Sequence, residues 1–204
     1  MFTINIYLKF ALIALFLGGG IIIAITQGFW YSFPLILIGI ILLVSYILLG
    51  TVQSAGTLIQ ASDFDGAQKR LGLTLKPEWL YVTNRAIFYI LQGTISAQTG
   101  DQKIAEDYFN KSLELKLPTD NERAMVLIQL ASIHANRQNM TGAKNYIAQA
   151  KKLKITEAQI KEQLVLIDKG IKQNAASMKQ ARSMGKQGMH AMRPGGKRRR
   201  PKSR

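Results

Sequence analysis

The sequence predicts an all-α protein: a two-helix transmembrane hairpin, a short α-solenoid of about three helical hairpins, a capping helix and a disordered basic tail. Three observations predict this order. Residues 10–62 include no charged residue. Three alanines, Ala67, Ala105 and Ala143, recur every 38 residues, a period typical of stacked helical repeats. Residues 173–204 carry Lys and Arg but no acid. The predicted segments are 1–52 for the hairpin, 53–155 for the repeats, 156–172 for the capping helix and 173–204 for the tail.

The first segment contains two stretches that are long and apolar enough to cross a bilayer. The predicted spans cover about residues 5–26 and 34–52, near the roughly 20 residues that a spanning helix needs. The short aromatic link 27–33 is typical of a membrane interface. We expect an antiparallel hairpin, in which the glycines at 18–20 allow close packing or bend the first span. A cleaved signal peptide is the alternative, although no A-x-A-like site follows the first stretch.

The orientation follows from the basic residues that flank the spans. Lys9 precedes the first span, the link has no Lys or Arg, and Lys69 and Arg70 follow the second. Because cytoplasmic flanks are enriched in Lys and Arg, we expect an integral protein of a bacterial inner membrane with both termini and the repeats in the cytoplasm. No strong helix breaker interrupts residues 44–61, so the second span should continue almost unbroken into the first repeat helix, with Gly50 and Gly56 as soft points.

The repeat is defined by small and large residues at fixed distances from the three alanines. Each alanine follows a turn-like cluster, at 62–66, 99–101 and 139–142. The large apolar residues four positions later are Leu71, Phe109 and Ile147, and the residues seven positions later are Thr74, Ser112 and Ala150. Small residues let two helices approach closely, and large ones fill the gap to the next unit. A generic helical bundle with a coincidental period is the alternative interpretation.

Further residues match the spacing of a known repeat family. In the second unit they are Tyr89, Gly93, Gly100, Ala105, Phe109, Ser112 and Pro118; in the third Leu127, Leu130, Ala131, Ala143, Ile147 and Ala150; in the first Ala55, Leu58, Ala67, Leu71 and Pro77. Over about residues 50–155 the chain therefore resembles the tetratricopeptide family. That family has a period of about 34 residues. The excess is close to one helical turn, so we expect longer first helices, starting near Glu78 and Asn121.

The resemblance implies a concave partner-binding groove lined by the first helices of the hairpins. The positions carried over from the family are Gln53, Gln60, Ile90, Leu91, Thr94, Gln98, Ile128, Gln129, Ser132 and Asn136. This face is neutral, and it lacks the Lys and Arg with which some family members hold a terminal carboxylate. The resemblance therefore implies a protein partner, but not an acidic C-terminal peptide.

The C-terminal part changes from an amphipathic to a basic composition. Apolar residues at helical spacing, Ile160, Leu164, Ile167 and Ile171, predict a helix that covers the last hairpin, or else binds a partner. The tail that follows predicts a polyanion-binding site at Arg193, Lys197, Arg198, Arg199, Arg200, Lys202 and Arg204. Anionic lipid headgroups, RNA including the ribosome, or an acidic protein would suit it; a solvated tail that fixes topology is the alternative. Without aromatic residues the tail offers phosphate contact but no base stacking.

The sequence carries no recognisable catalytic constellation. It has no cysteine and two histidines, and of these His134 is predicted to be a core or groove residue rather than a ligand. No glycine-rich phosphate loop or H-E-x-x-H motif occurs. We therefore predict no enzyme activity, cofactor, metal or small-molecule substrate. The leading hypothesis is a membrane-anchored adaptor for a protein partner. The alternatives are a membrane protein that tethers ribosomes or RNA through its tail, and a small structural subunit of a membrane complex.

Overall fold

The structure, a computed structural model, describes the backbone of residues 6–191 and the side chains of residues 7–177 and Gln180. Every element in this part of the chain is helical, which confirms the all-α fold class. The helices are α1 Ile6–Gln27, α2 Phe29–Leu49, α3 Val52–Gln60, α4 Phe64–Gly72, α5 Val82–Gln98, α6 Gln102–Glu114, α7 Asp120–Asn136, α8 Met140–Ala150 and α9 Ala158–Ala191, with a 3₁₀ turn at Pro77–Trp79. One compact unit contains α1 to α6, the start of α7 and residues 153–155; a second contains the rest of α7, α8 and α9.

Helices α1 and α2 form the N-terminal hairpin. They have 22 and 21 residues, and both are long and apolar enough to cross a membrane. Glycines set their separation, because a Cβ on Gly20 would lie 2.6 Å from Ile36 Cγ1, and one on Gly39 would lie 2.6 Å from Leu17 Cδ2. Helix α1 is uninterrupted through residues 18–20, so Gly20 serves close packing.

The predicted link 27–33 between the two apolar segments is wrong. Gly28 alone separates the helices, with a φ of 98° that favours glycine. Helix α2 begins at Phe29 and includes Pro34, and it ends at Leu49 instead of residue 52. The aromatic residues 29–33 join the helix because an apolar segment is most stable when its backbone groups bond to one another.

The three repeats share one turn. Ser62, Gly100 and Gln138, spaced by 38 residues, have φ values of 62°, 91° and 61°. The next residue in each repeat donates its N–H to the carbonyl five positions back; these bonds are Asp63 to Leu58 at 2.8 Å, Asp101 to Ser96 at 2.9 Å and Asn139 to His134 at 2.9 Å. This is the hydrogen-bond pattern of a Schellman helix end. The same residue is also in the N-cap position of the next helix; the Asp63 and Asn139 side chains accept a backbone N–H there, and Asp101 makes no such bond. The 38-residue period therefore corresponds to three equivalent hairpins, α3–α4, α5–α6 and α7–α8.

Burial follows the predicted pattern of small and large residues. Ala67, Ala105 and Ala143 are each 0% exposed, and the large residues four positions later are Leu71 at 1%, Phe109 at 1% and Ile147 at 3%. Of the residues seven positions later, Ser112 and Ala150 are fully buried, whereas Thr74 is half-buried. The alanines thus lie where two helices meet, and the large side chains fill the core.

One of the two predicted starts of the first helices is correct. Helix α7 begins at Asp120, next to the predicted Asn121, but α5 begins at Val82 and not near Glu78. Pro77 heads a separate 3₁₀ turn, and Lys76 before it is extended, as expected for a residue that precedes proline. Helices α5 and α7 have 17 residues each, against 9 in α3.

The nearly continuous helix predicted over residues 44–61 is interrupted at Gly50, one of its two expected soft points. Gly50 ends α2 with a φ of 62°, and α3 starts anew at Val52. A Cβ on Gly50 would lie 2.6 Å from Leu80 Cδ2. Positive φ and close approach both require glycine here, so Gly50 forms a bend held by tertiary packing.

Helix α9 extends well beyond the predicted capping helix. Its buried residues Ile160, Leu164 and Ile171 confirm the apolar face. The helix continues to Ala191, beyond the predicted end at residue 172. The Ala, Gln, Lys, Met and Arg residues of 173–191 favour helix. The rest of the predicted tail, 192–204, lies outside the described residues.

A glycine-to-alanine pair tests the packing of the repeats. A Cβ on Gly93 would lie 2.8 Å from both Cδ1 and Cε1 of Phe109, so Gly93→Ala should lower the free energy of unfolding by roughly 1–2 kcal/mol. The cost of the close contact with Phe109 exceeds the gain of about 1 kcal/mol in helix propensity that alanine has over glycine. Thermal unfolding of the detergent-solubilised chain, followed by circular dichroism, measures it.

The matched control is Gly56→Ala, because nothing lies within 4 Å of a Cβ there. It should raise stability by about 0.5–1 kcal/mol. Adding Phe109→Leu to Gly93→Ala recreates the Ala55 and Leu71 combination of the first hairpin, and should recover part of the loss. Equal stabilisation by both alanine variants would contradict the packing described here.

Candidate functional site

The C-terminal turn of α2 is bound to the segment that precedes α5. The Tyr46 hydroxyl donates to the Leu73 carbonyl. The Tyr81 N–H donates to the Leu48 carbonyl at 2.9 Å. Because the last carbonyls of a helix have no partner within the helix, a donor from another segment stabilises this end. The N-terminal hairpin and the first repeat are thereby joined through more than the chain itself.

Thr51 is the centre of this junction. It is 2% exposed, its Oγ1 donates to the Arg70 carbonyl at 2.5 Å, and it lies 3.1 Å from Thr74 Oγ1. Thr74 stands where the other hairpins have the smaller Ser112 and Ala150. The departure from the repeat pattern thus has a structural reason, because the threonine hydroxyl is used in the junction.

Aromatic residues lie at both ends of the N-terminal hairpin. At the closed end, beside Gly28, the exposed aromatic residues are Phe29, Trp30, Tyr31 and Phe33. At the open end, the Arg70 Cζ lies 4.7 Å from the centroid of the Tyr7 ring, and Lys9 Nζ donates to Ser45 Oγ at 3.2 Å. Cationic side chains therefore contact the hairpin at its open end.

The predicted groove residues on α3 and α5, in the first compact unit, differ in exposure. Gln53, Gln60 and Gln98 are exposed, and Leu91 and Thr94 are half-buried. Ile90 is only 3% exposed, and its carbonyl accepts from Thr94 Oγ1 at 2.9 Å. Ile90 belongs to the packed interior, so the accessible part of this face is polar.

The predicted groove residues on α7, in the second compact unit, show a similar pattern of exposure 38 residues later. Asn136 is exposed, Gln129 and Ser132 are half-buried, and Ile128 is 3% exposed. Ser132 Oγ donates to the Ile128 carbonyl at 3.1 Å, as Thr94 does to Ile90. The binding role of all ten predicted groove residues stays a prediction. The predicted polyanion-binding residues, Arg193, Lys197, Arg198, Arg199, Arg200, Lys202 and Arg204, lie outside the described residues.

His134 has a packing position in the third hairpin. Its Nδ1 lies 2.9 Å from Asn139 Nδ2, and its ring packs edge-on against Tyr146 with centroids 5.1 Å apart. Asn139 Oδ1 accepts the Gly142 N–H at 3.0 Å, so the same side chain caps α8 and contacts the histidine. Within the described residues no group of three or more His, Cys, Asp or Glu is placed to hold a metal ion.

Asp168 is an acid at the packing of α9 on the third hairpin. Its Oδ2 accepts from Lys151 Nζ and Lys172 Nζ, each at 2.8 Å. Hydrogen bonds from these lysines lower the pKa of Asp168 from its ordinary value. Lys151 follows the end of α8, so its ion pair joins that end to α9, whereas Lys172 lies one turn from Asp168 on α9 itself.

Sequence reasoning missed the junction residues Thr51, Thr74 and Tyr81. Two signals could have found them: the Gly50-Thr51 pair, which is typical of a bend followed by a cap, and the exception at Thr74 in the pattern of small residues. Comparisons of the chain with protein-family models, curated proteins and solved structures give no match. The resemblance to the tetratricopeptide family therefore stays a prediction.

The junction predicts a measurable effect for a nearly isosteric substitution. Thr51→Val removes the hydroxyl that donates to the Arg70 carbonyl, and should cost about 0.5–1.5 kcal/mol of unfolding free energy, the net value of one hydrogen bond, because the Arg70 carbonyl keeps the Leu73 N–H at 3.2 Å. Thermal unfolding in detergent measures the loss. Thr57→Val is the control, since exposed Thr57 only bonds Ser54 of its own helix; an equal loss in both variants would refute the special role of Thr51.

Asp168 predicts a pH dependence. Because its pKa is lower in the folded chain than in the unfolded one, the carboxylate stabilises the fold above the unfolded value, near 3.9. This contribution disappears as the pH falls through the lower folded value. Asp168→Asn should cost up to about 1 kcal/mol at pH 7, and the difference from the parent should shrink in acid. Melting curves from pH 7 downward test this, with exposed Glu162→Gln as the control. A difference that persists at the lowest pH would contradict it.

Proposed function

We propose that this protein is a membrane-anchored, tetratricopeptide-like adaptor. In this proposal the α1–α2 hairpin spans a bacterial inner membrane with both termini inside, and the repeats hold a protein partner at the cytoplasmic face. The observation that carries the proposal is the junction at Thr51. It joins a hairpin of bilayer length to the first helical repeat through hydrogen bonds of the buried Thr51 side chain.

The two ends of the hairpin support the membrane assignment. Helix α2 has 21 residues and is about 31 Å long, near the roughly 30 Å of a hydrocarbon core. Exposed aromatic residues at the closed end resemble an interfacial belt, and Lys9 and Arg70 at the open end favour a cytoplasmic location of that end. Residues 10–62 between them are uncharged.

The exposed amides of the first helices support partner binding. Gln53, Gln60, Gln98 and Asn136 are exposed, and amide groups both donate and accept hydrogen bonds without charge. Such side chains suit a neutral polar segment of a protein partner. They offer no cation to a terminal carboxylate, so specificity should depend on hydrogen bonding and shape.

A second candidate function rests on the C-terminal charge. Residues 173–204 carry ten Lys and Arg and no acid, which favours contact with RNA, the ribosome or anionic lipid. In this alternative the tail is the active element and the repeats are a spacer. A third possibility, a structural subunit that uses its spans as the interface, would show itself as a stable complex in detergent.

Photo-crosslinking from intact membranes tests the adaptor. With p-benzoylphenylalanine at Gln98 or Asn136, we expect a discrete crosslinked protein. The same probe at Gln68 or Asn145, exposed amides on the second helices α4 and α8, should give none. Gln60→Arg, with a probe at Gln98, should reduce the yield several-fold because a desolvated, unpaired cation disfavours the contact.

A chain that ends at Asn174 separates the alternatives. The adaptor predicts that crosslinks from Gln98 persist in this shortened chain. Their loss, together with salt-sensitive sedimentation of the full chain with ribosomes, would support the tail-dependent function instead. Equal crosslinking from first and second helices would refute the proposed binding face.

A further inference from the structure

The segment between α4 and α5 exposes an unusual density of apolar side chains. We call residues 73–82 the interfacial segment. Its exposed large residues are Leu73 at 37%, Leu75 at 64%, Trp79 at 50%, Tyr81 at 61% and Val82 at 41%. Scattered exposed apolar residues are ordinary, but a contiguous group of them indicates an interaction surface.

The backbone of this segment is fixed beside the last turn of α2. Tyr46, one turn before the end of α2, donates its hydroxyl to the Leu73 carbonyl. Tyr81 donates its N–H to the Leu48 carbonyl at 2.9 Å. Both ends of the interfacial segment therefore lie against the turn with which α2 ends.

Packing of Leu80 determines which side chains face outward. Leu80 is 4% exposed and belongs to the same core cluster as Val52 and Leu71. Its neighbours Trp79 and Tyr81 are at least half exposed. Because Leu80 anchors the segment in the core of the first hairpin, the two aromatic rings cannot turn inward without losing that contact.

The exposed side chains have the chemistry of a membrane interface. Trp and Tyr combine an apolar ring with a polar group, and they concentrate at the headgroup level of bilayers. Lys76 Nζ lies 5.0 Å from the centroid of the Trp79 ring. Lys69 and Arg70 precede the segment, and Glu78 is the acid within it. The local excess of cations suits phosphate headgroups.

We propose that the interfacial segment inserts its side chains into the headgroup layer of the bilayer that the hairpin crosses. This inference rests on the proposed membrane anchor. If α2 crosses the bilayer, its last turn lies at the edge of the hydrocarbon core, and residues bonded to that turn share its depth. Phospholipid is then the ligand of Leu75, Trp79 and Tyr81, and this second contact holds the first repeat against the membrane surface.

The two tryptophans of the chain make the inference directly measurable. Trp30→Phe leaves Trp79 as the sole tryptophan, and Trp79→Phe leaves Trp30 at the closed end of the hairpin. Each variant of the full chain is reconstituted in phosphatidylcholine vesicles brominated at shallow or deep acyl positions. We expect quenching of both tryptophans. For Trp79, shallow bromine should quench about twofold more than deep bromine, because tryptophan prefers the headgroup level.

The outcomes separate this inference from the membrane anchor. Quenching of Trp30 without quenching of Trp79 overturns the interfacial segment and leaves the anchor intact. Quenching of neither overturns both. Stronger quenching of Trp79 by deep bromine contradicts the interfacial depth. Quenching by aqueous iodide is a further measurement. If neither bromine nor iodide quenches Trp79, the ring is covered by protein, and this result also overturns the inference.

A substitution tests the contact without removing the reporter. In the Trp30→Phe chain, Leu75→Asp should reduce bromine quenching of Trp79 at least twofold, because a carboxylate disfavours insertion among acyl chains. Ile104→Asp on α6 is the matched control, since Ile104 is also exposed, at 48%; it should leave the quenching unchanged. Circular dichroism checks that both variants keep their helices. Equal quenching in the Leu75→Asp chain and its parent would overturn the proposal.

Discussion

The need to satisfy the last carbonyl groups of α2 is the constraint on which the rest of the first unit depends. A helix leaves its final carbonyls unpaired, and near apolar surroundings an unpaired carbonyl is costly. Here the Leu48 carbonyl accepts from the Tyr81 backbone, and the Leu49 carbonyl accepts from Asn84 Nδ2 at 3.4 Å. These bonds place the start of α5 at the end of α2. The position of the second hairpin follows from them.

Gly50 and Thr51 make that arrangement sterically possible. Gly50 turns the chain with a positive φ and admits Leu80 close to its Cα. The buried Thr51 side chain then donates a hydrogen bond to the Arg70 carbonyl. The chain changes direction between α2 and α3 at these two residues, and both contacts depend on that bend. In the proposed adaptor, this bend fixes the orientation of the first repeat relative to its anchor.

The repeats combine a common frame with local exceptions. All three hairpins have the same Schellman turn and the same buried alanine. In each hairpin a small residue of the first helix faces a large residue of the second helix, and the two vary together. Gly93 faces the ring of Phe109, whereas the other hairpins pair an alanine with an aliphatic residue. The exceptions in the sequence pattern therefore mark particular contacts. Thr74 is the clearest, because its hydroxyl bonds to Thr51.

The sequence by itself determined the all-α class, the apolar hairpin and the three repeats, because helical periodicity, absence of charge and a 38-residue period are properties of local composition and spacing. It did not determine where helices end. The complete break at Gly50, where only a soft point was expected, the start of α2 at Phe29 and the extension of α9 to Ala191 differ from the predictions, since propensity alone does not specify a boundary. The groove positions were named, but Ile90 and Ile128 are buried. Only the tertiary structure brought Thr51, Arg70 and Tyr81 into one junction, because these contacts join residues distant in sequence.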